Sequence, residues 1–222
     1  MINNNQAAVP VDSAEQLSGA NAVVAEVQFS DLGAEQQYRA GFYSALAALL
    51  RNPPNQDLLD EVAALAGVEP ENGELTLAMS MLGLAASTSK PSAVDEEFHA
   101  LFIGLGRGEL VPYGSWYQTG YLMERPLGYL RDDLELLGYQ REAEVHEPED
   151  HVAALCEVMM FMIADDVPLA RQSQFFNAHI ADWIERFFQD LSQAKAAVFY
   201  RAVGRFGLAF FDIDKRYLSM QV

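Results

Sequence analysis

The sequence predicts an all-α protein, a single bundle of about eight to ten helices. Three observations predict it. Apolar residues return every three or four positions over long stretches, the period of one helix face. No stretch alternates apolar and polar residues with the period of two that a half-buried strand needs, and there is no strand–helix–strand rhythm or repeat. Pro and Gly punctuate the periodic stretches, as they do at helix ends.

Each element follows from that pattern. Residues 1–30 are small and polar and read as a mobile N-terminal extension with at most one weak helix. Tyr38, Phe42, Ala45, Leu46 and Leu49 then mark a helix that Asn52-Pro53-Pro54 stops. Gln56–Ala66 is the next, ended by Gly67, and Gly73–Ala86 the third. Ser87–Ser92 reads as a loop. Asp95 leads a helix through Phe98, Leu101 and Phe102, closed at Gly104–Gly108. Leu110–Tyr117 carries Pro112 and Gly114 and reads as an extended or turning segment. Pro126–Leu137 is helical up to Gly138. The charged connector that follows, with Pro148, makes residues 142–150 a candidate hinge. Glu149–Ala164 is helical and strongly apolar until Val167-Pro168. Gln172–Gln189 and Ser192–Met220 complete the bundle, the last weakened at Gly204 and Gly207. Residues 31–222 thus form one helical domain.

Composition narrows the function. The chain has 222 residues and a net charge of −18, from 14 Lys and Arg against 32 Asp and Glu. A protein that neutralises phosphates needs clustered cations, so nucleic acid and anionic lipid are excluded as general partners. The acids are unevenly placed. Asp57, Asp60, Glu61, Glu69, Glu71 and Glu74 lie in a stretch without Lys or Arg, and so do the acids from Glu142 to Asp166. Such faces keep a protein soluble; they also steer a cationic peptide. Cys156 is the single cysteine, so no internal disulfide or CxxC motif exists, which fits a reducing compartment. No charged-then-apolar leader and no apolar run of membrane-spanning length is present. The expectation is a cytoplasmic protein that is not inserted in a membrane.

The search for catalytic chemistry yields nothing. Gly104, Gly106 and Gly108 are not followed by Lys-Ser/Thr, so they are not a phosphate loop. His146 and His151 are five apart, and two imidazoles on one helix face need four. His179 and Trp183 share a face with Phe175 and Phe187, which suits core packing. No catalytic residue, metal or cofactor is expected, and the chain reads as a non-enzyme. Two other features stand out. Phe98, Leu101, Phe102, Tyr113, Trp116 and Tyr117 crowd large apolar groups into a partly irregular stretch; they either pack the bundle or line a recognition groove. Glu147, Pro148, Glu149 and Asp150 crowd charge before an apolar helix; they either cap it or face a cationic peptide. Capping does not explain the histidine that follows them.

Through these segments the chain resembles the TorD/DmsD/NarJ family of redox-enzyme maturation chaperones. The carrying residues are EEFHALFIGLGRGELVPYGSWYQTGYL (Glu96–Leu122) and EPEDHVAALCEVM (Glu147–Met159), with FFNAHIADWIERFF and FYRAVGRFG behind them. The ordered pair P-x-G-S-x-Y then E-P-x-D-H is the specific part. The resemblance covers roughly residues 38–212. It implies an all-helical chaperone that binds the twin-arginine signal peptide, or the apoenzyme, of a molybdenum-cofactor oxidoreductase and delays its export until the cofactor is inserted. It implies Asp150 and His151 as the central peptide-binding pair, beside Glu147 and Pro148. Phe98, Leu101 and Phe102 would form the apolar wall, with Tyr113, Gly114, Ser115, Trp116 and Tyr117 alongside. The client would be of the formate dehydrogenase or the dimethyl sulfoxide/trimethylamine N-oxide reductase type. Some family members dimerise by exchanging helices, and the 142–150 connector is the place for it. The other readings of the residues are a helical adaptor without signal-peptide recognition and a metal- or nucleotide-dependent enzyme. The N-terminal extension and the GLGRGE stretch depart from the family pattern.

Overall fold

A computed structural model describes residues 2–4, 32–67, 73–104, 107–142 and 145–220. The first long helix, α1 (Ala34–Arg51), stops where Asn52 turns extended before Pro53-Pro54. Its buried stripe runs through Arg39, Tyr43, Leu46 and Leu50, one position round from the expected face, so Tyr38 is exposed. Helix α2 (Gln56–Ala63) is capped by the Asn55 side chain, which accepts from the Leu58 amide, and tightens into a 3-10 turn, Ala64–Gly67. Then come α3 (Glu74–Thr88) and α4 (Pro91–Phe98). The expected loop at Ser87–Ser92 is much shorter, because Pro91 opens a helix as readily as it closes one. A π turn, His99–Ile103, extends α4 to Gly104, whose φ of 61° ends it.

Helices α5 (Gly114–Thr119) and α6 (Arg125–Leu137) follow, the latter ended by Gly138 with φ 79°. The segment expected to be extended therefore becomes helical at Gly114. Strand β1 (Ile2–Asn4) pairs antiparallel with β2 (Tyr139–Arg141). The rest of the N-terminal extension lies outside the described residues. Helix α7 (Val152–Ala164) starts after the expected Glu149, since Asp150 and His151 are engaged elsewhere. The expected Gln172–Gln189 helix is two, α8 (Leu169–His179) and α9 (Ile184–Gln193). The Trp183 indole donates to the His179 carbonyl at 2.7 Å, taking the acceptor that the Trp183 backbone N–H would use in a continuous helix.

The last helix, α10 (Phe199–Ser219), begins later than expected. The linker before it is held by two carboxylates. Glu109 accepts from the amides of Lys195 and Ala196, and Glu97 from those of Val198, Phe199 and Tyr200. Gly204 and Gly207 do not weaken α10. A Cβ on Gly207 would sit 2.3 Å from the Phe188 ring, and one on Gly204 2.6 Å from the Ser192 amide nitrogen. These two glycines let α10 and α9 approach, so their cost in helix propensity is offset by packing.

The ten helices among the described residues make an all-α bundle, as the periodicity predicts. Helix α7 lies at its centre, packed on α1 and buried at nearly every position. Helix α10 forms the second axis, between α3 and α9. One polar cluster ties α10 to α1 and α8. Asp214 of α10 is 1 % exposed and accepts from Arg39 Nε and from Tyr43 Oη, both of α1. Arg39 also donates to Gln172 of α8 at 2.8 Å. Replacing Asp214 by Ala strands a buried guanidinium and is expected to lower unfolding free energy by about 3–5 kcal/mol. The triple change Arg39→Met/Tyr43→Phe/Asp214→Leu, which also removes the Tyr43 hydroxyl that Asp214 accepts from, is expected to recover most of that loss. Urea denaturation of the two variants checks both.

Candidate functional site

The N-terminus of α7 must satisfy backbone donors inside the protein, and this builds the site. Helix amides at N-terminal positions have no partner within the helix. The Val152 amide donates to the Pro112 carbonyl at 2.9 Å, and the Ala153 amide donates to His151 Nδ1 at 3.1 Å. His151 is thus the helix cap, which accounts for a histidine at this point. Asp150 turns away from the helix. Its carbonyl accepts from the Gly114 amide at 2.9 Å and its Oδ2 from the Ser115 amide at 2.7 Å. Tyr113 and His151 form an antiparallel bridge, their rings edge to face at 5.0 Å. Residues 112–115 and 150–152 are clasped in this way by three hydrogen bonds and a ring contact.

The clasp lies inside. Asp150 is 3 % and His151 5 % exposed, and Gly114 and Ser115 are buried with them. Gly114 passes against the Trp183 ring, where a Cβ would be only 3.2 Å away. Asp150 Oδ1 is buried and, among the described residues, the one such side-chain atom without a hydrogen-bond partner. A buried carboxylate oxygen of that kind is costly unless something donates to it.

Around the clasp the acids are divided between structure and surface. Arg51 of α1 binds Glu157 at 2.7 Å and Glu147 at 3.3 Å, so one guanidinium serves two carboxylates. Glu147 is the exposed one. Glu149 binds Arg131 of α6 at 2.8 Å and lies 3.6 Å from Arg141 of β2. Arg141 also donates to the Glu147 carbonyl. Burial, with Glu147 and Asp150 adding to it, pushes the half-buried Tyr113 hydroxyl up to about 12.

The expected apolar residues take different places. Phe98 and Leu101 are core, and half-buried Phe102 packs edge to face on Phe98 and Tyr200. Tyr117 stacks on Trp183, and its hydroxyl donates to Asp190 at 2.9 Å. Trp116 is half-buried under the Arg107 guanidinium, 4.5 Å from its ring centre. Pro148 is half-buried in the elbow. The structure adds a patch that the sequence reading missed. Tyr121 is 70 %, Leu122 47 % and Met123 69 % exposed, in the α5–α6 connection. This loop is fastened to the clasp: the Met123 amide donates to Ser115 Oγ at 3.2 Å and Thr119 Oγ1 to the Tyr121 carbonyl at the same distance. Met123 has φ 59°, a backbone state that costs on the order of 1 kcal/mol in a non-glycine residue. No sequence signal marks the patch, because apolar residues read as core until exposure is known.

The family model for the nitrate reductase delta subunit matches residues 66–189, which include the clasp, the elbow and the exposed loop. The chain belongs to that family. This is the redox-enzyme maturation family that the two motifs predict. Its member here is 26 % identical to the chaperone protein TorD of Aliivibrio salmonicida, over 86 % of this chain and 99 % of that protein. It is 30 % identical to TorD of Vibrio cholerae strain N16961, over 55 % of this chain and 61 % of that one. The fold is also that of a crystal structure from Archaeoglobus fulgidus described as a candidate redox enzyme maturation protein. The TM-score is 0.55 and the identity 19 %, over 78 % of this chain and 93 % of that chain. Among the described residues of this TorD-like chain, no group of three His, Cys, Asp or Glu could hold a metal, and no helix is long and apolar enough to cross a membrane. Burial pushes the Cys156 thiol up, so it is not a thiolate.

The cap makes stability depend on pH. Burial, reinforced by nearby Arg51, holds His151 down at about 3, whereas an unfolded histidine titrates near 6.5. Between those values the unfolded chain binds the proton and the folded chain does not. The contribution of neutral His151 is therefore complete above about pH 6.5 and is lost progressively as pH falls below it. Urea denaturation at pH 7 and pH 5 is expected to show a loss on the order of 1–2 kcal/mol. The slope is expected to flatten in His151→Asn, which keeps a side-chain acceptor at the cap without a titrating group.

Proposed function

We propose that this TorD-like chain holds the twin-arginine signal peptide of a molybdenum-cofactor oxidoreductase precursor in the cytoplasm until the cofactor is inserted. The observation that carries the reading is the fastening of an exposed apolar loop to an acidic elbow. Tyr121, Leu122 and Met123 are joined through Ser115 to Asp150, three residues from exposed Glu147. A twin-arginine peptide has the matching order, two guanidinium groups followed by an apolar run. Its guanidinium groups meet Glu147, which shares Arg51 with Glu157, and its apolar run lies along the loop. Burial of Asp150 and His151 changes the part they play. They position residues 112–123 against α7, and Asp150 Oδ1 is a reserve acceptor for a donor that enters the clasp. Members named TorD are chaperones, which supports a maturation role. The client class, formate dehydrogenase or dimethyl sulfoxide/trimethylamine N-oxide reductase type, rests on the resemblance alone.

Calorimetric titration tests this with a synthetic twin-arginine peptide and a Lys-Lys version. The twin-arginine peptide is expected to bind at least tenfold more tightly, since lysine loses the paired guanidinium–carboxylate geometry. Glu147→Gln is expected to weaken binding by about tenfold, as loss of a charge-assisted hydrogen bond does. Leu122→Ser/Met123→Ser is expected to weaken it comparably by removing apolar contact. Asp150→Asn keeps the shape of the clasp and is expected to reduce affinity less than Glu147→Gln. Equal binding of the two peptides, or full affinity in the Glu147 and loop variants, would remove the signal-peptide reading and leave the helical adaptor.

A further inference from the structure

Helix α6 buries Leu127, Leu130 and Leu134 and leaves its other face open. Down the middle of that face run Arg125, Asp132 and Leu136, with Gly128 and Tyr129 to either side. All five are exposed, Tyr129 at 63 % and Leu136 at 79 %. Neither Arg125 nor Asp132 has an ion pair among the described residues. Arg131 and Glu135 fall on the flank, and Arg131 is taken by Glu149. Gly128 has no internal reason to be glycine. A Cβ on Gly83, Gly204 or Gly207 would lie within 3 Å of a neighbour, whereas one on Gly128 would meet nothing within 4 Å. Glycine inside a helix is less favourable than alanine, so a bare position on an open face makes sense where another backbone comes close from outside. Gly41 of α1 is as open, but the exposed and half-buried residues within a turn of it carry no charge.

The order of these residues is its own complement when the helix is reversed. Two α6 helices can be set antiparallel about a twofold axis that passes between Gly128 and Tyr129. Arg125 and Asp132 are equally far from that axis, on opposite sides. Each Arg125 then faces the partner's Asp132, and the pair forms twice. The two Tyr129 rings meet on one side of the axis, and on the other the two Gly128 positions let the backbones close. Leu136 then lies past the start of the partner's α6, over the connection that carries exposed Tyr121 and Met123. A foreign helix would fit only by repeating this order, whereas a second copy fits by symmetry. The net charge of −18 on each copy opposes association in general. Charges more than about 10 Å apart are largely screened at 0.1 M salt, so the paired residues decide.

We propose that two copies of the chain associate through their α6 faces, antiparallel, with Arg125 and Asp132 paired across a twofold axis. No helix leaves its own bundle, which distinguishes this pair from one made by helix exchange at residues 142–150. One helix face is well below the ~1,200 Å² of a stable interface, so the pair is transient, with a Kd on the order of 0.1 mM. The partner's Leu136 covers the loop offered to the signal peptide, so peptide and second copy exclude each other. That consequence rests on the signal-peptide reading; the pair itself does not.

Sedimentation equilibrium of the full chain tests it. The average mass is expected to rise from that of one copy toward that of two as concentration increases. Arg125→Asp and Asp132→Arg each set two pairs of like charges opposite one another and are expected to weaken association about tenfold. Arg125→Asp/Asp132→Arg rebuilds both pairs and is expected to return it to within about threefold of wild type. Gly128→Leu is expected to weaken it about tenfold by holding the backbones apart. Its circular dichroism melt is expected not to fall, because the site is open and leucine favours a helix. Addition of the twin-arginine peptide is expected to shift the wild type to single copies. A chain that stays single up to about 1 mM would overturn the proposal. So would a pair that ignores both single reversals, as one made by helix exchange does, or one that the double reversal fails to restore. A pair that obeys the reversals but withstands a peptide shown to bind overturns the exclusion alone.

Discussion

The capping of α7 is the constraint on which the structure depends. A helix buried along its whole length cannot leave its N-terminal amides to water, so other residues must meet them. His151 meets one with its side chain and Pro112 meets another with its carbonyl. That demand draws residues 112–115 against the start of α7, and Asp150 fixes them there by accepting from Gly114 and Ser115. The loop after α5 is then held through Ser115. One requirement of the core, a capped central helix, thereby sets the geometry of a surface loop.

The same structure separates charges that carry load inside from charges that face out. Asp214 and Arg39 neutralise each other between α1 and α10, and Asp133 takes His179 and Arg171. Glu97 and Glu109 serve the amides of the α9–α10 linker. These carboxylates belong to a very acidic chain, yet their partners leave them no free field. At the elbow, two carboxylates share Arg51, and the excess charge is negative.

The pattern of one sequence determined much of this. Periodicity of three and four determined that the chain is a helical bundle, because burial of one helix face requires it. Pro53, Gly67, Gly138 and Pro168 marked ends that the structure keeps, since their backbone preferences are local. The two motifs placed the family and pointed to both segments of the clasp, but the structure keeps only Tyr113, Gly114 and Ser115 beside Asp150 and His151, and sends Trp116 under Arg107 and Tyr117 onto Trp183. Tertiary structure decided the rest. Trp183 broke a helix whose periodicity is continuous, by giving its indole hydrogen to a carbonyl. Gly204 and Gly207 read as weak points and proved to be the approach of α9 to α10. Above all, exposure is a property of neighbours. Phe98 and Tyr121 are alike in sequence as large aromatic residues in an apolar stretch, but the first packs on Tyr200 and the second faces solvent. Only the folded chain could make one of them core and the other surface, because burial depends on residues a hundred positions away.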